Sequence, residues 1–254
     1  SKCPGIRSKP ENMKLKVCGM KYNPEEIAEL GPDYLGFIFW EPSSRFFEGN
    51  MPTLPTRIKK VGVFVDAHLE EIMEKIKTYS LDAVQLHGNE LPEYCKTIMK
   101  NAKGATEGQT APGRSQSEKS DIKSPQSLNS FQEDKKLEII KVFSIKDGFD
   151  FSVLEPYEDV CDYYLFDTKG KLPGGNGYTF NWKILENYPS TKPYFLSGGI
   201  GLENREDIQS FLQTKHAKYC YAIDVNSKFE KKPGLKDTER IKEFKKLLEY
   251  ELSR

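Results

Sequence analysis

The sequence lacks a net charge, a long apolar run and a cluster of metal-binding residues. Lys plus Arg and Asp plus Glu both number 38 among the 254 residues, so no overall field attracts nucleic acid or a membrane surface. No apolar run approaches the roughly 18–20 residues that a membrane span needs. The three His and five Cys residues show no metal-ligand spacing. We therefore expect a protein without a metal, a nucleic-acid partner or a membrane.

We expect neither disulfide bonds nor a secretory signal in this sequence. Its cysteines are odd in number and widely spaced, at positions 3, 18, 95, 161 and 220. This pattern favours a reducing, cytoplasmic location. Residues 1–12 have no apolar centre, so they do not form a signal peptide. We predict that residues 1–13 are a flexible N-terminal arm and that residues 14–254 form one catalytic domain.

Short apolar runs alternate with helical patterns along that domain. Strands are predicted at residues 14–18, 34–39, 60–65, 82–86, 137–143, 163–167, 194–197 and 220–225. Such alternation implies parallel strands joined by crossover helices. Eight units in roughly 200–250 residues match a single-domain α/β fold, the (βα)8 TIM barrel. A doubly wound open sheet is the alternative, although it usually has fewer strands and a Gly-rich turn after the first.

Helix boundaries follow from capping residues and prolines. Asn23, Asp66 and Asp237 are predicted N-caps, and Pro92 begins a helix that ends at about Lys100. Residues 101–134 then break the alternation with a composition rich in Ser, Gly and Pro. We predict a flexible, dispensable insertion between helix 4 and strand 5. A docking or regulatory loop is the alternative interpretation of this segment.

Polar residues stand where the predicted strands end, at the face of a barrel that carries catalytic groups. They are Cys18, Arg45, Asp66, Gln85, His87, Asp167, Ser197 and Asp224. The Gly198 and Gly199 turn after strand seven favours a phosphate site. A thiol and carboxylates facing phosphate suit proton transfer on a sugar phosphate. From spacing alone, a residue such as Cys18 is more often a small buried side chain, Arg45 is also explained as a solvated charge, and His87 is more often a structural hydrogen-bonding group.

A set of ordered motifs at these strand ends points to one family. The motifs are KVCGM (16–20), LGFIFWEPSSRF (35–46), VGVFV (61–65), VQLHGNE (84–90), LFDT (165–168), GGNGYTFNW (174–182), LSGGIGLEN (196–204), and AIDVNS with FEKKPGLKD (222–237). Each is weak alone, but their order and placement are specific. The chain resembles phosphoribosylanthranilate isomerase, an enzyme of tryptophan biosynthesis.

The resemblance implies a cofactor-free barrel that rearranges a small phosphorylated substrate, as a monomer or homodimer. Cys18 would be the general base at C2, and Asp167 the general acid at the ring oxygen. Arg45 would bind the anthranilate carboxylate. The remaining implied substrate-binding residues are Gly198, Gly199, Ile200, Asn226 and Ser227 around the phosphate, and Asp224 at the sugar hydroxyls.

Two other functions are compatible with a phosphate-binding barrel. A histidine-pathway aldose isomerase has the same fold, but that family is expected to carry an aspartate in place of Cys18. A catalytically silent barrel whose insertion docks a partner is the other alternative. The joint presence of Cys18, Asp167 and Arg45 argues against it.

Overall fold

The computed structural model describes residues 13–107, 136–146, 148–168 and 182–253. Eight parallel strands close into a barrel in chain order, as predicted. They are β1 (Lys14–Val17), β2 (Tyr34–Ile38), β3 (Lys59–Phe64), β4 (Ala83–Leu86), β5 (Glu138–Ile145), β6 (Tyr163–Thr168), β7 (Tyr194–Ser197) and β8 (Cys220–Val225). The open-sheet alternative is therefore excluded, because β1 pairs with β8 over four residues.

Helices surround this barrel. The α-helices are α1 (Pro24–Glu29), α2 (Leu69–Tyr79), α3 (Pro92–Glu107), α4 (Arg205–Leu212) and α5 (Thr238–Ser253). The 3₁₀ helices Phe151–Tyr157 and Trp182–Asn187 follow β5 and β6. A hairpin of β9 (Glu230–Lys232) and β10 (Leu235–Lys236) precedes α5. None of the helices in the described ranges has the length and apolar character of a membrane span.

One of the three predicted N-caps, Asp66, is wrong. Asp66 does not cap α2, which begins after His68; instead its Oδ1 accepts the backbone N–H of Asn89 at 2.6 Å. Asn23 is the N-cap residue of α1, as predicted, but its side chain accepts no hydrogen bond from the helix; its Oδ1 accepts the Lys236 N–H at 3.0 Å instead. Both side chains have tertiary partners that compete with the local cap. Asp237 does cap α5, because its Oδ1 accepts the Arg240 N–H at 3.2 Å.

The first seven residues of the predicted insertion are helical. α3 continues to Glu107, so residues 101–107 belong to the helix rather than to a loop. The rest of the predicted insertion, the arm at 1–12 and the Gly-rich segment 169–181 lie outside the described residues.

Two apolar layers follow from the period-two alternation of strand side chains. Leu15 and Val17 of β1 point outward into the large core under the helices. A smaller cluster fills the barrel itself, with Tyr34, Val61, Ala83, Ile140, Val142, Leu165, Phe195 and Ala222. Each fully buried apolar side chain stabilises the fold by about 1.5–3 kcal/mol. The lower and middle barrel is therefore packed, and the polar strand ends stand above it.

Tyrosines close the barrel at the N-terminal ends of the strands. The Tyr34 hydroxyl lies 3.2 Å from the Tyr221 hydroxyl and 3.3 Å from Glu138 Oε2. Tyr163 stacks on Tyr221 with ring centroids 4.7 Å apart. Lys59 neutralises Glu138 through a 2.5 Å ion pair. We call Tyr34, Tyr163 and Tyr221 the tyrosine plug.

Candidate active site

A cavity of about 190 Å³ opens at the C-terminal ends of the strands. Its walls continue the interior faces of the strands, two residues beyond the apolar cluster. Gln85 follows Ala83, Asp167 follows Leu165, Ser197 follows Phe195 and Asp224 follows Ala222 in this way. The lining also includes Cys18, Ile38, Val63, His87, Gly198, Gly199, Ile200, Asn226, Ser227 and Lys228. Six of the eight predicted strand-end residues therefore line one cavity, whereas Arg45 and Asp66 do not.

A buried ion pair lies beside Cys18. Lys16 and Asp224 face each other across β1 and β8, and Lys16 Nζ donates to Asp224 Oδ1 at 2.8 Å. The Lys16 side chain is fully buried. Ser197 Oγ donates to the other carboxylate oxygen of Asp224 at 3.1 Å. Asp224, predicted at the sugar hydroxyls, therefore lines the cavity while both of its oxygens accept protein hydrogen bonds.

Burial raises the pKa of the Cys18 thiol, and the positive charge of Lys16 with its hydrogen bond opposes that rise. For Lys16, burial lowers the pKa, but Asp224 and Cys18 outweigh it, so the net shift is upward. Lys16 therefore stays charged next to the thiol. Cys18 Sγ would lie 2.8 Å from a Cβ added to Gly36 of β2, so the strand must carry glycine there.

Asp167 stands at the end of β6 and faces the same cavity. Its Oδ2 lies 3.6 Å from His87 Nε2, which follows β4. Both side chains are partly exposed, at 15% and 35%. Cys18 and Asp167 thus reach the cavity from strands on different sides of the barrel.

The turn after β7 leaves room for an anion. Gly198 and Gly199 have φ angles of +109° and +67°, the left-handed region that favours glycine. A Cβ added to Gly199 would meet nothing within 4 Å, so the space in front of this backbone is open. The 3₁₀ helix Ser227–Phe229 begins beside it, after β8. Ile200 is buried behind the turn.

Two side chains of the turn after β8, those of Asn226 and Lys228, already have partners within the protein. Asn226 Oδ1 accepts a hydrogen bond from Lys236 Nζ at 2.7 Å. Lys228 lines the cavity, and its ammonium pairs with Glu203 at 2.8 Å. The Asn226 side-chain oxygen and the Lys228 ammonium therefore each have a protein partner, and an anion at this turn would bind N–H donors.

Arg45 lies at the rim, outside the residues that line the cavity. Its Nε donates to Glu230 Oε1 at 2.9 Å, and its Nη2 donates to Glu230 Oε2 at 2.7 Å. Lys236 Nζ also donates to Glu230 Oε1, at 2.7 Å. Burial raises the pKa of Glu230, but the hydrogen bonds from Arg45 and Lys236 outweigh it, so the net pKa lies below its ordinary value. Glu230 is therefore an anionic anchor that fixes the Arg45 fork.

Sequence reasoning missed three of these residues, namely Lys16, Gly36 and Glu230. A usable signal existed for Lys16, because a lysine between Leu15 and Val17 in a buried strand shares the interior face with Cys18. No sequence signal indicated Glu230, because its partner Arg45 is 185 positions away in the chain.

Comparison with known proteins now identifies the family. The model for N-(5'-phosphoribosyl)anthranilate isomerase matches residues 15–117 and 124–246. The chain belongs to the N-(5'-phosphoribosyl)anthranilate isomerase family. The family member from Parabacteroides distasonis is 39% identical over 241 residues, covering 91% of each chain. The member from Phocaeicola vulgatus is 35% identical, covering 91% of this chain and 96% of its own.

Solved structures of phosphoribosylanthranilate isomerases share the barrel. The enzyme from Thermotoga maritima superposes with a TM-score of 0.68 at 26% identity, covering 94% of this chain and all of its own. A second isomerase structure, in complex with reduced 1-(o-carboxyphenylamino)-1-deoxyribulose 5-phosphate, has a TM-score of 0.66 at 24% identity, with the same coverage. These likenesses agree with the (βα)8 architecture.

Proposed function

We propose that this chain converts N-(5-phosphoribosyl)anthranilate into 1-(2-carboxyphenylamino)-1-deoxyribulose 5-phosphate by an Amadori rearrangement. The observation that carries the proposal is the meeting of a thiol, a carboxyl group and an open glycine turn in one cavity. An aldose-to-ketose rearrangement needs a base at C2 and an acid at the ring oxygen, and these groups supply them. Membership of the isomerase family supports the same reaction.

The first step opens the furanose ring. Asp167 gives its proton to the ring oxygen as the C1–O bond breaks, and the anilino nitrogen shares its electron pair with C1. His87, 3.6 Å from the carboxylate, is placed to stabilise the negative charge that Asp167 then carries. The product of this step is a Schiff base with an acidified hydrogen at C2.

The second step removes that hydrogen. The Cys18 thiolate takes the C2 proton, and the electron pair passes through C1 to the nitrogen to form an enolamine. Because burial raises the pKa of Cys18, the thiolate depends on the neighbouring Lys16 ammonium. The enolamine then tautomerises to the ketone.

A continuous fluorescence assay tests the reaction directly. Freshly prepared phosphoribosylanthranilate is mixed with the protein, and its anthranilate-type fluorescence is followed over time. We expect a change whose rate is proportional to protein concentration. A rate no faster than the uncatalysed background would refute the proposed function.

Arg45 is the proposed contact for the anthranilate carboxylate. Arg45→Ala should raise KM about 10- to 100-fold, because a charge-assisted hydrogen bond is lost. Glu230→Gln should raise KM less, since it weakens the anchor and keeps the guanidinium. Steady-state kinetics measure both. Arg57→Ala, an exposed arginine before β3 at the opposite end of the barrel, is the matched control and should leave KM unchanged.

The phosphate is proposed to bind backbone groups of Gly198, Gly199 and Ile200, with Asn226 and Ser227 completing the site. Gly199→Arg should raise KM about 10- to 100-fold, because its side chain occupies the open space before the turn. Gly49→Arg is a control for backbone strain, with φ of +94° and no neighbour within 4 Å of an added Cβ. The Gly49→Arg variant should lose about as much stability as Gly199→Arg and keep the KM of the parent.

Competition by inorganic sulfate or phosphate tests the same site without a substitution. Either anion should inhibit the parent competitively at millimolar concentrations and inhibit Gly199→Arg much less. An absence of inhibition in the parent would remove the phosphate assignment.

We also propose a cytoplasmic location. The four described cysteines, Cys18, Cys95, Cys161 and Cys220, are all free thiols, which is typical of a reducing compartment.

A further inference from the structure

Gln85 carries a buried polar group that the mechanism above does not use. Its side chain lies on the interior face of β4, is 2% exposed and lines the cavity. Its Oε1 is buried and accepts no hydrogen bond from any residue that the structure describes. An amide oxygen buried without a donor is costly, and native structures rarely keep one without a water or ligand to satisfy it.

The position of β4 shows which part of the substrate meets this oxygen. In the closed ring β4 stands four strands from β8, so it is opposite the turns that are proposed to hold the phosphate. Cys18 must reach the hydrogen on C2, and Cys18 and Gln85 line the same cavity of about 190 Å³. A substrate whose C2 is held against the Cys18 thiol in so small a cavity would face the wall formed by Val63 and Gln85, which pair in the sheet and both line the cavity.

We infer that Gln85 Oε1 accepts a hydrogen bond from the C2 hydroxyl of the substrate, an inference that rests on the proposed function. The hydroxyl persists in the Schiff base and the enolamine, so the bond holds C2 through proton removal. In the product C2 is a ketone, which has no hydrogen to donate. Gln85 thus binds substrate and intermediates in preference to product, and it favours product release.

The test uses Gln85→Met, which keeps the unbranched shape and removes the acceptor. The probe is the reduced product, in which the C2 ketone has become a hydroxyl, titrated by calorimetry. We expect about a 10- to 100-fold loss of affinity for this probe, because its buried hydroxyl loses its partner. Competitive inhibition by the unreduced product should change by no more than about twofold, because its ketone made no such bond.

Thermal unfolding separates ligand binding from a structural role. Gln85→Met should keep or raise Tm, because replacing an unpartnered buried amide with an apolar group is neutral or stabilising. His216→Phe is the matched control, since both ring nitrogens of this buried histidine also lack a partner among the described residues. It precedes β8 at the opposite end of the barrel, so probe affinity should remain parental.

Three results would overturn the inference. They are parental affinity of Gln85→Met for the reduced product, an equal loss of affinity for the unreduced product, or a Tm lowered by several degrees. If the parent fails to consume phosphoribosylanthranilate, the proposed function itself is wrong. A parent that is active alongside a Gln85→Met variant with unchanged binding would refute only the assignment of Gln85.

Discussion

Cys18→Ala and Asp167→Asn should each lower kcat by about 10²–10⁴-fold, the usual contribution of a general base or acid. KM should change little, because neither residue is assigned to ground-state binding. Cys18→Ser should be nearly as inactive as the alanine variant, since a hydroxyl has the shape of the thiol but ionises far less readily. Steady-state kinetics on phosphoribosylanthranilate measure all three.

Matched controls separate chemistry from packing. Cys220→Ala removes another buried thiol, and Asp162→Asn changes a carboxylate that precedes β6 at the opposite end of the strand. Both should keep the parental kcat even if they unfold at a lower temperature. If Cys18→Ala kept near-parental kcat, the base would be another group, and His87 and Asp224 would be tested next.

Lys16→Met should lower both the stability of the fold and the activity of the base. The substitution leaves the Asp224 carboxylate buried without its cation, a loss of about 3–5 kcal/mol. It also removes the positive charge that opposes the upward pKa shift of Cys18. The acid limb of the pH profile of kcat/KM reports the formation of the Cys18 thiolate. In Lys16→Met that limb should therefore move to higher pH.

The buried pair of Lys141 and Glu90 provides the control for that experiment. Its atoms lie 2.9 Å apart and its side chains are as buried as those of Lys16 and Asp224, but neither residue lines the cavity. Lys141→Met should therefore cost similar stability in urea unfolding and leave the pH profile unchanged. An acid limb that stays in place in Lys16→Met would show that Lys16 serves packing alone. The double variant Lys16→Met with Asp224→Asn should recover stability without recovering the rate.

The barrel could be predicted because the sequence pattern of a buried strand occurs eight times. Each strand appears as a short apolar run between polar segments, and eight runs agree with one architecture. Catalytic candidates such as Cys18 and Asp167 followed from the same pattern, since the ends of parallel strands meet at one face. Their catalytic roles remain predictions that the variants above test.

The parts that were missed depend on contacts between distant segments. Asp is a residue type that is common at N-caps, but the Asp66 carboxylate accepts a hydrogen bond from a backbone N–H in the loop after β4 instead. α3 extends through residues 101–107 because Ala, Lys and Glu there favour a helix, although the whole segment has a loop-like composition. The Arg45 and Glu230 pair brings together the loop after β2 and the hairpin after β8, which no local pattern reports.

Among the described residues, the tyrosine plug closes the barrel at the end opposite the candidate active site. Tyr34, Tyr163 and Tyr221 block the lower end, and the apolar cluster fills the space above them, so the described part of the barrel offers no passage along its axis to the 190 Å³ cavity. We therefore expect substrate and product to compete for one small cavity. In kinetic terms, product should be a competitive inhibitor with respect to substrate.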